Sequence, residues 1–292
     1  MPLQRPLNSP IGTATLLSLL LFLLPTPLRA QDTAAPVQVK QGEIVLITLS
    51  LEPDVESVVG TFLNQPIPFF KKNAEEFAAM IGIDLAQPTG SQPLSVTWKK
   101  KESSGHRAYP IQIVSASFGT ETLKLPKAMV DLDPPTLARV EKEQEQFKVI
   151  FNKSDDRRLW QEDFIVPTEG KPMGKFGFRR IMNGQPRNPH TGEDIGAPLG
   201  APVLASNAGK IIMVGDFYFN GRSIVIDHGL GLFSMYFHLS EVNVTEGETV
   251  KKGQTIGAVG QSGRATGPHL HWGVRLNGAR VNPFSLIEKK LG

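Results

Sequence analysis

Gly267-Pro-His-Leu-His-Trp-Gly-Val-Arg-Leu276 sets two histidines one residue apart at the start of an aromatic and β-branched run. In an extended strand residues i and i+2 project to the same face, so His269 and His271 can both point into one site. The Asn277-Gly278 that follows is a strong hairpin signal. Working back from this strand, residues 203–205, 209–214, 223–227, 233–238 and 255–259 read as further strands bounded by Gly or Asn-Gly, with a second hairpin signal at Asn220-Gly221. No sizeable helix is predicted over residues 166–287, so this half reads as a compact antiparallel β structure.

Five of the six histidines fall in that half. His190 and Asp194 occur in Asn188-Pro-His-Thr-Gly-Glu-Asp, where the turn-forming Gly192 can return both side chains to one point. His238 ends the strand Met235-Tyr-Phe-His-Leu-Ser. Two imidazoles and one carboxylate suit Zn²⁺ with a fourth position left for water, and a histidine beyond that set can serve proton transfer. His228, in Asp227-His-Gly, reads as structural, and His106, after Ser103-Ser-Gly, as a solvated loop residue.

Gly174-Lys-Phe-Gly-Phe-Arg-Arg, His190-Thr-Gly-Glu-Asp-Ile-Gly-Ala-Pro-Leu-Gly-Ala-Pro-Val, Ile226-Asp-His-Gly, Tyr236-Phe-His-Leu and residues 263–272, in this order, resemble the signature of the lysostaphin-like (LytM-type) zinc metallopeptidases. The resemblance covers residues 167–286. It implies a peptidoglycan endopeptidase with one Zn²⁺ per chain, held by His190, Asp194 and His271, with His238 and His269 catalytic. Phe237 stands where a small residue is often found in the Tyr-x-His-Leu segment, and its side chain is expected to point away from the His238 face. Two other readings stand beside this one. The first is a non-catalytic peptidoglycan-binding or amidase-activating regulator on the same fold; the second is a metalloenzyme acting on a different exported peptide. Val250-Lys-Lys-Gly-Gln-Thr-Ile-Gly resembles a lipoyl or biotinyl carrier hairpin, but the segment that would present a modifiable lysine is missing.

Outside the motif region the chain is ordinary in bulk. It has 292 residues, 40% hydrophobic and 20% charged, with Gly 28 and Pro 23, as a turn-rich β protein requires. Arg5, an uncharged Leu-rich run over residues 11–24, and Ala30 before Gln31 make a secretory leader over residues 1–30. Its removal takes Arg5 and Arg29 from the 31 basic residues and leaves 29 against 28 acids. A charge near +1 argues against nucleic acid, no stable membrane anchor is expected after cleavage, and the location expected is the periplasm or cell envelope. The absence of Cys excludes disulfides and thiolate metal sites.

Residues 31–130 read as an immunoglobulin-like β-sandwich with no ionisable cluster, expected to position or restrain the second half. Only residues 73–82 show a helix-like pattern there. Residues 131–165 read as a helical linker: a charged helix over 137–152, expected to be a solvated spacer, then Lys153-Ser-Asp-Asp-Arg-Arg, expected to be a hinge or nicking site.

Overall fold

The computed structural model describes residues 36–291, and the expected leader lies outside the described residues. The chain is mainly β. β1 (Val37–Lys40), β3 (Val55–Phe62), β4 (Gln65–Pro68), β7 (Gly90–Lys100) and β8 (Ser104–Val114) form a five-stranded sheet in the order β1-β8-β7-β3-β4. His106 is an exposed residue of β8 facing Ser95, not a loop residue. A second sheet, β2-β6-β5, consists of β2 (Ile44–Ser50), β5 (Phe70–Lys71) and β6 (Glu76–Gly82). Val45, Ile47 and Leu49 of β2 and Phe77, Ala79 and Ile81 of β6 close the sandwich on Val58, Ile67, Leu94 and Ile111 of the larger sheet.

The helix-like stretch at residues 73–82 is therefore a strand. Asn73 Oδ1 accepts from the backbone N–H groups of Glu75 and Glu76, closing a turn that launches β6. The run Phe77-Ala-Ala-Met-Ile is buried on both faces, so it lacks the alternation by which a half-buried strand is recognised.

The second face of β2-β6-β5 belongs to the other half of the molecule. Ile44, Phe70, Ala78 and Met80 share a core with Trp160, Phe164, Val274 and Val281. A Cβ on Gly82 would lie 2.7 Å from the carbonyl oxygen of Leu276, so this close approach requires glycine. Beside it the Asp84 carboxylate accepts from the backbone N–H and guanidinium of Arg280. Burial works to raise the Asp84 pKa, but the Arg280 hydrogen bonds hold it below the usual carboxylate range.

The second half is built on an eight-stranded sheet. Its path is β10 (Lys171–Pro172), β13 (Gly192–Gly196), β21 (Leu270–Leu276), β17 (Leu232–Leu239), β16 (Gly221–Gly229), β15 (Gly209–Phe217) and β19 (Thr249–Val250), with β22 (Ala279–Val281) also paired to β21. Asn277 and Gly278 join β21 to β22 with φ of 50° and 81°, as a two-residue type I′ turn demands. A small sheet of β14 (Pro202–Leu204), β20 (Thr255–Ala258) and β18 (Glu241–Val242) lies beside it in sequence, and α2 (Pro283–Ile287) follows β22. A fifth sheet joins β9 (Thr120–Leu123), β11 (Arg179–Met182) and β12 (Gln185–Arg187), with β9 parallel to β11.

Helix α1 (Pro134–Ile150) is capped by Asp133, whose carboxylate accepts from the Thr136 N–H. It is not a solvated spacer. Phe147 packs on Phe217 and Phe237, with centroids 4.9 and 5.7 Å apart, and Phe151, just past the helix, meets Phe233 at 5.3 Å. Its charged side, with the Arg139–Glu143 and Glu145–Lys148 pairs, is what the sequence displays most clearly. The following segment is likewise tied down: Asp227 accepts from Ser154 Oγ and Asp155 N–H, and Leu159 N–H donates to the His228 carbonyl. Among the described residues no helix is long and apolar enough to cross a membrane.

Candidate metal centre

Strand alternation lays the floor of the site. Along β21, Leu270, Trp272, Val274 and Leu276 enter the core, which leaves His269 and His271 on the opposite face. Asp194 of β13 and Phe237 of β17 are the register partners of His271 on either side. His190 comes from the loop before β13, held there by its N–H bond to the Phe178 carbonyl and by the Gly177 N–H on its own carbonyl.

Three donor atoms converge. Asp194 Oδ1 lies 3.0 Å from His190 Nε2 and 2.8 Å from His271 Nδ1, and the two imidazole nitrogens are 2.9 Å apart. His190 Nδ1 is 3.2 Å from the Lys175 carbonyl, which can only accept, so the lone pair sits on Nε2 and faces the carboxylate. A cation held between them relieves the repulsion of a lone pair turned on a carboxylate oxygen at this distance. Two imidazoles and a carboxylate, all buried, are a donor set that fits a metal ion. Asp194 Oδ2 accepts from Arg180 Nη2 at 3.3 Å, and Arg180 Nε is 3.5 Å from Glu121 Oε2 on β9. Outer partners of this kind orient a ligand carboxylate.

His269 and His238 stand over the same point. His269 Nε2 is 3.8 Å from Asp194 Oδ1, and the His238 and His269 rings are 4.8 Å apart. Each donates from Nδ1 to a backbone carbonyl, of Gly267 and Ser262 respectively, both at 2.8 Å, which leaves each Nε2 free to accept. Burial, then the neighbouring imidazoles, brings the His238 pKa down to about 3, and burial brings His271 down to about 4. Both rings are neutral near pH 7 and keep their lone pairs. For Asp194, burial acts to raise the pKa, but the imidazoles of His190 and His271 against it hold it far below the usual range.

Phe237 does not point away from this face. The pairing of β16 with β17 slips between Arg222 and Ile224, and His238 adopts φ of 64°. A bulge of this sort re-aims a side chain. By strict alternation His238 would follow Tyr236 into the core; the slip turns it toward the site, on the same side as Phe237. The Phe237 ring consequently stacks on His271, with 5.4 Å between centroids. Two glycines make room for the ligands: a Cβ at Gly192 would lie 2.6 Å from His271 Nε2, and one at Gly174 would overlap Asp194 Oδ2.

Residues 188–283, which include all five of these side chains, match the profile of Peptidase family M23. Residues 188–283 are an M23 domain. The chain is 42% identical over 135 residues to the peptidoglycan DD-endopeptidase ShyA of Vibrio cholerae, covering 45% of this chain and 31% of that protein. It is 46% identical over 111 residues to the DD-carboxypeptidase/endopeptidase Mpg of Neisseria meningitidis, covering 38% and 26%. The chain thus spans a third or less of the length of these relatives. A crystal structure from Pseudomonas aeruginosa assigned to peptidase M23 superposes with a TM-score of 0.67 at 29% identity, covering 87% of this chain and 96% of that one. That likeness therefore extends over the first-half sandwich as well.

The M23 domain opens on a groove of about 1200 Å³ lined by His190, His238 and His271. Glu143, Phe147 and Phe151 of the α1 region form part of its wall, and Arg180, Arg187 and Arg264 border it. None of these six was read from sequence as part of a site. Arg180 stood inside the quoted Gly174-Lys-Phe-Gly-Phe-Arg-Arg stretch, but nothing in its spacing announced a bond to Asp194. His228 faces away from the groove: Nδ1 donates to the Ala208 carbonyl, and Nε2 is 2.7 Å from Ser234 Oγ.

Proposed function

We propose that the chain is a zinc-dependent metalloendopeptidase that hydrolyses peptide bonds in peptidoglycan stem peptides or cross-bridges. The observation that carries this reading is the convergence of two imidazole nitrogens and a carboxylate oxygen within 3.0 Å of one another, beside two further imidazoles, at the floor of an open groove. The relatives named above are peptidoglycan endopeptidases, which supplies the substrate class. The leader expected from sequence and that substrate together argue for a periplasmic or cell-envelope location.

His190, Asp194 and His271 would hold the ion. Zn²⁺ bound there supplies Lewis-acid polarisation of a scissile carbonyl and a water of lowered pKa. The remaining chemistry falls to the chain. With Nδ1 of each ring turned to a backbone carbonyl, His238 and His269 have Nε2 left for proton transfer, so one accepts the proton of the attacking water. The imidazolium so formed then returns that proton to the departing amine, while the second ring lines the other side of the reacting carbonyl. The carbonyls of Ser262 and Gly267 lock both rings in the tautomer this requires. Arg180 and Glu121 keep the Asp194 carboxylate from rotating out of position. The complete donor set weighs against the non-catalytic regulator.

The test is digestion of purified peptidoglycan by the zinc-loaded full chain, followed by mass analysis of released fragments. New peptide termini that vanish with chelator are expected, and unchanged sacculi after prolonged incubation would overturn the reading.

A further inference from the structure

We propose that Arg187 and Arg264 form an anion subsite on the rim of the metal centre that takes a free carboxylate of the peptide substrate. The inference rests on the peptidase reading above and adds to it the charge of the preferred substrate. Arg180 and Arg187 are direct cross-strand partners on β11 and β12, so both side chains leave the same face of that hairpin. Like charges so opposed repel unless something offsets them. Arg180 is offset by Glu121 and Asp194. Among the described residues Arg187 and Arg264 have no carboxylate partner.

Both guanidiniums are held in place by backbone oxygens. Arg187 Nη2 donates to the Val130 carbonyl at 2.9 Å and to Gln185 Oε1 at 2.6 Å. Arg264 Nη1 donates to the carbonyl of the preceding residue, Met129, at 3.3 Å, and its guanidinium lies 3.8 Å over the Phe219 ring. Two forks fixed on consecutive carbonyls keep their other N–H groups for an acceptor in the groove they share with His190, His238 and His271. The nearby acids are committed elsewhere. Glu143 accepts from Arg139 and from the Tyr218 N–H, and Asp131 accepts from Gln185. Burial, then the charges of Arg180 and Arg187, brings the Arg264 pKa down to about 10, the mark of a cation short of compensation. An arriving carboxylate relieves that deficit with charge-assisted bonds. The subsite is also rigidly joined to the reacting centre: Arg264 follows by two residues Ser262, whose carbonyl fixes His238, and Arg187 precedes His190 by three.

The experiment uses two synthetic stem-peptide dimers, identical except that the carboxylates flanking the scissile bond are free in one and carboxamides in the other. Their dissociation constants are measured by calorimetry on the full zinc-loaded chain carrying His269→Ala, which slows consumption of the peptide. The measurement is repeated with Arg187→Gln or Arg264→Gln added, and with Arg264→Lys, which keeps the charge if a glutamine variant fails to fold. The free acid should bind about 10- to 100-fold more tightly than the amide, and either glutamine should collapse that ratio toward one, with lysine restoring part of it. Equal binding of the two peptides, or a ratio untouched by the substitutions, would overturn the subsite. If the chain with His269 intact cuts neither peptide while the binding ratio holds, the hydrolase reading falls and the subsite stands.

Discussion

Phe237 lies parallel to the imidazole of His271, with 3° between the planes, while its edge meets Phe147 of α1 at 81°. The ring is thus a wedge between the helix and a proposed metal ligand, and it transmits the packing of one to the orientation of the other. Phe237→Ala should cost about 3 kcal/mol of stability, as for a buried aromatic truncated in a core. It should also weaken zinc binding by freeing His271 to turn. Thermal melting with and without zinc reads both effects. A variant that melts lower but binds zinc as the parent does would reduce Phe237 to packing alone.

His190→Ala, Asp194→Ala and His271→Ala should each abolish tight zinc binding, since two protein donors are too few. Gly174→Ala should do the same in milder form, because its methyl group would occupy the space of Asp194 Oδ2. Metal content of the purified proteins decides the point, and near one zinc per chain in any of the three ligand variants would show the donor set to be wrong.

Removing a proton-transfer group has a different signature. His238→Ala and His269→Ala should retain zinc yet lose activity by about 10²–10⁴-fold. Turnover close to the parent in both would take these two imidazoles out of the mechanism.

His228 gives the fold its own pH limit. Burial holds its pKa at about 4, below the ordinary 6.5 that it regains on unfolding. Above pH 6.5 the ring is neutral in both states and the fold has its full stability. As pH falls from 6.5 toward 4 the unfolded chain takes a proton that the folded chain refuses, and about 3 kcal/mol is lost across that window. Urea unfolding of metal-free parent and His228→Gln chains at pH 7 and pH 4.5 should show a smaller decline in the variant. Parallel declines would mean that His228 is not the group responsible.

A chain beginning at Phe164 should not fold stably. It would lose Trp160 and expose the core surface that Ile44, Phe70 and Met80 cover, side chains worth about 1.5–3 kcal/mol each when fully buried. Circular dichroism and tryptophan emission of the truncated chain test this, and a cooperative melt near that of the parent would contradict it.

The second half was legible in sequence because its information is local. His269 and His271 sit two apart, one just before β21 and one within it, and Asn277-Gly278 specifies its own turn. What escaped depends on partners distant in sequence. Nothing near residue 77 says that β6 is covered on both sides, so its apolar run resembled a helix. The apolar edge of α1 is a few side chains among many charges, and only the facing Phe217, Phe233 and Phe237 give it meaning. Phe237 itself was misplaced because a one-residue slip in pairing leaves no trace in composition. Arg187 and Arg264 come together only when a β-hairpin and a loop some eighty residues onward fold against the same pair of carbonyls.

The sheet β2-β6-β5 has one face in each core, and this bears on how such a chain can be recombined. A module strung on a flexible tether can be cut out and spliced to another partner, because its surface is finished. Here the seam runs through the sheet itself: Ile44 and Met80 are completed by side chains more than a hundred residues away, and Gly82 is fitted to the backbone at Leu276. An exchange of the first half for an unrelated sandwich would leave that seam open. Only a donor with glycine at the equivalent of Gly82 and an acid matched to Arg280 would close it. The two halves are therefore bound to diverge as a matched set, each substitution along the shared sheet being judged by both.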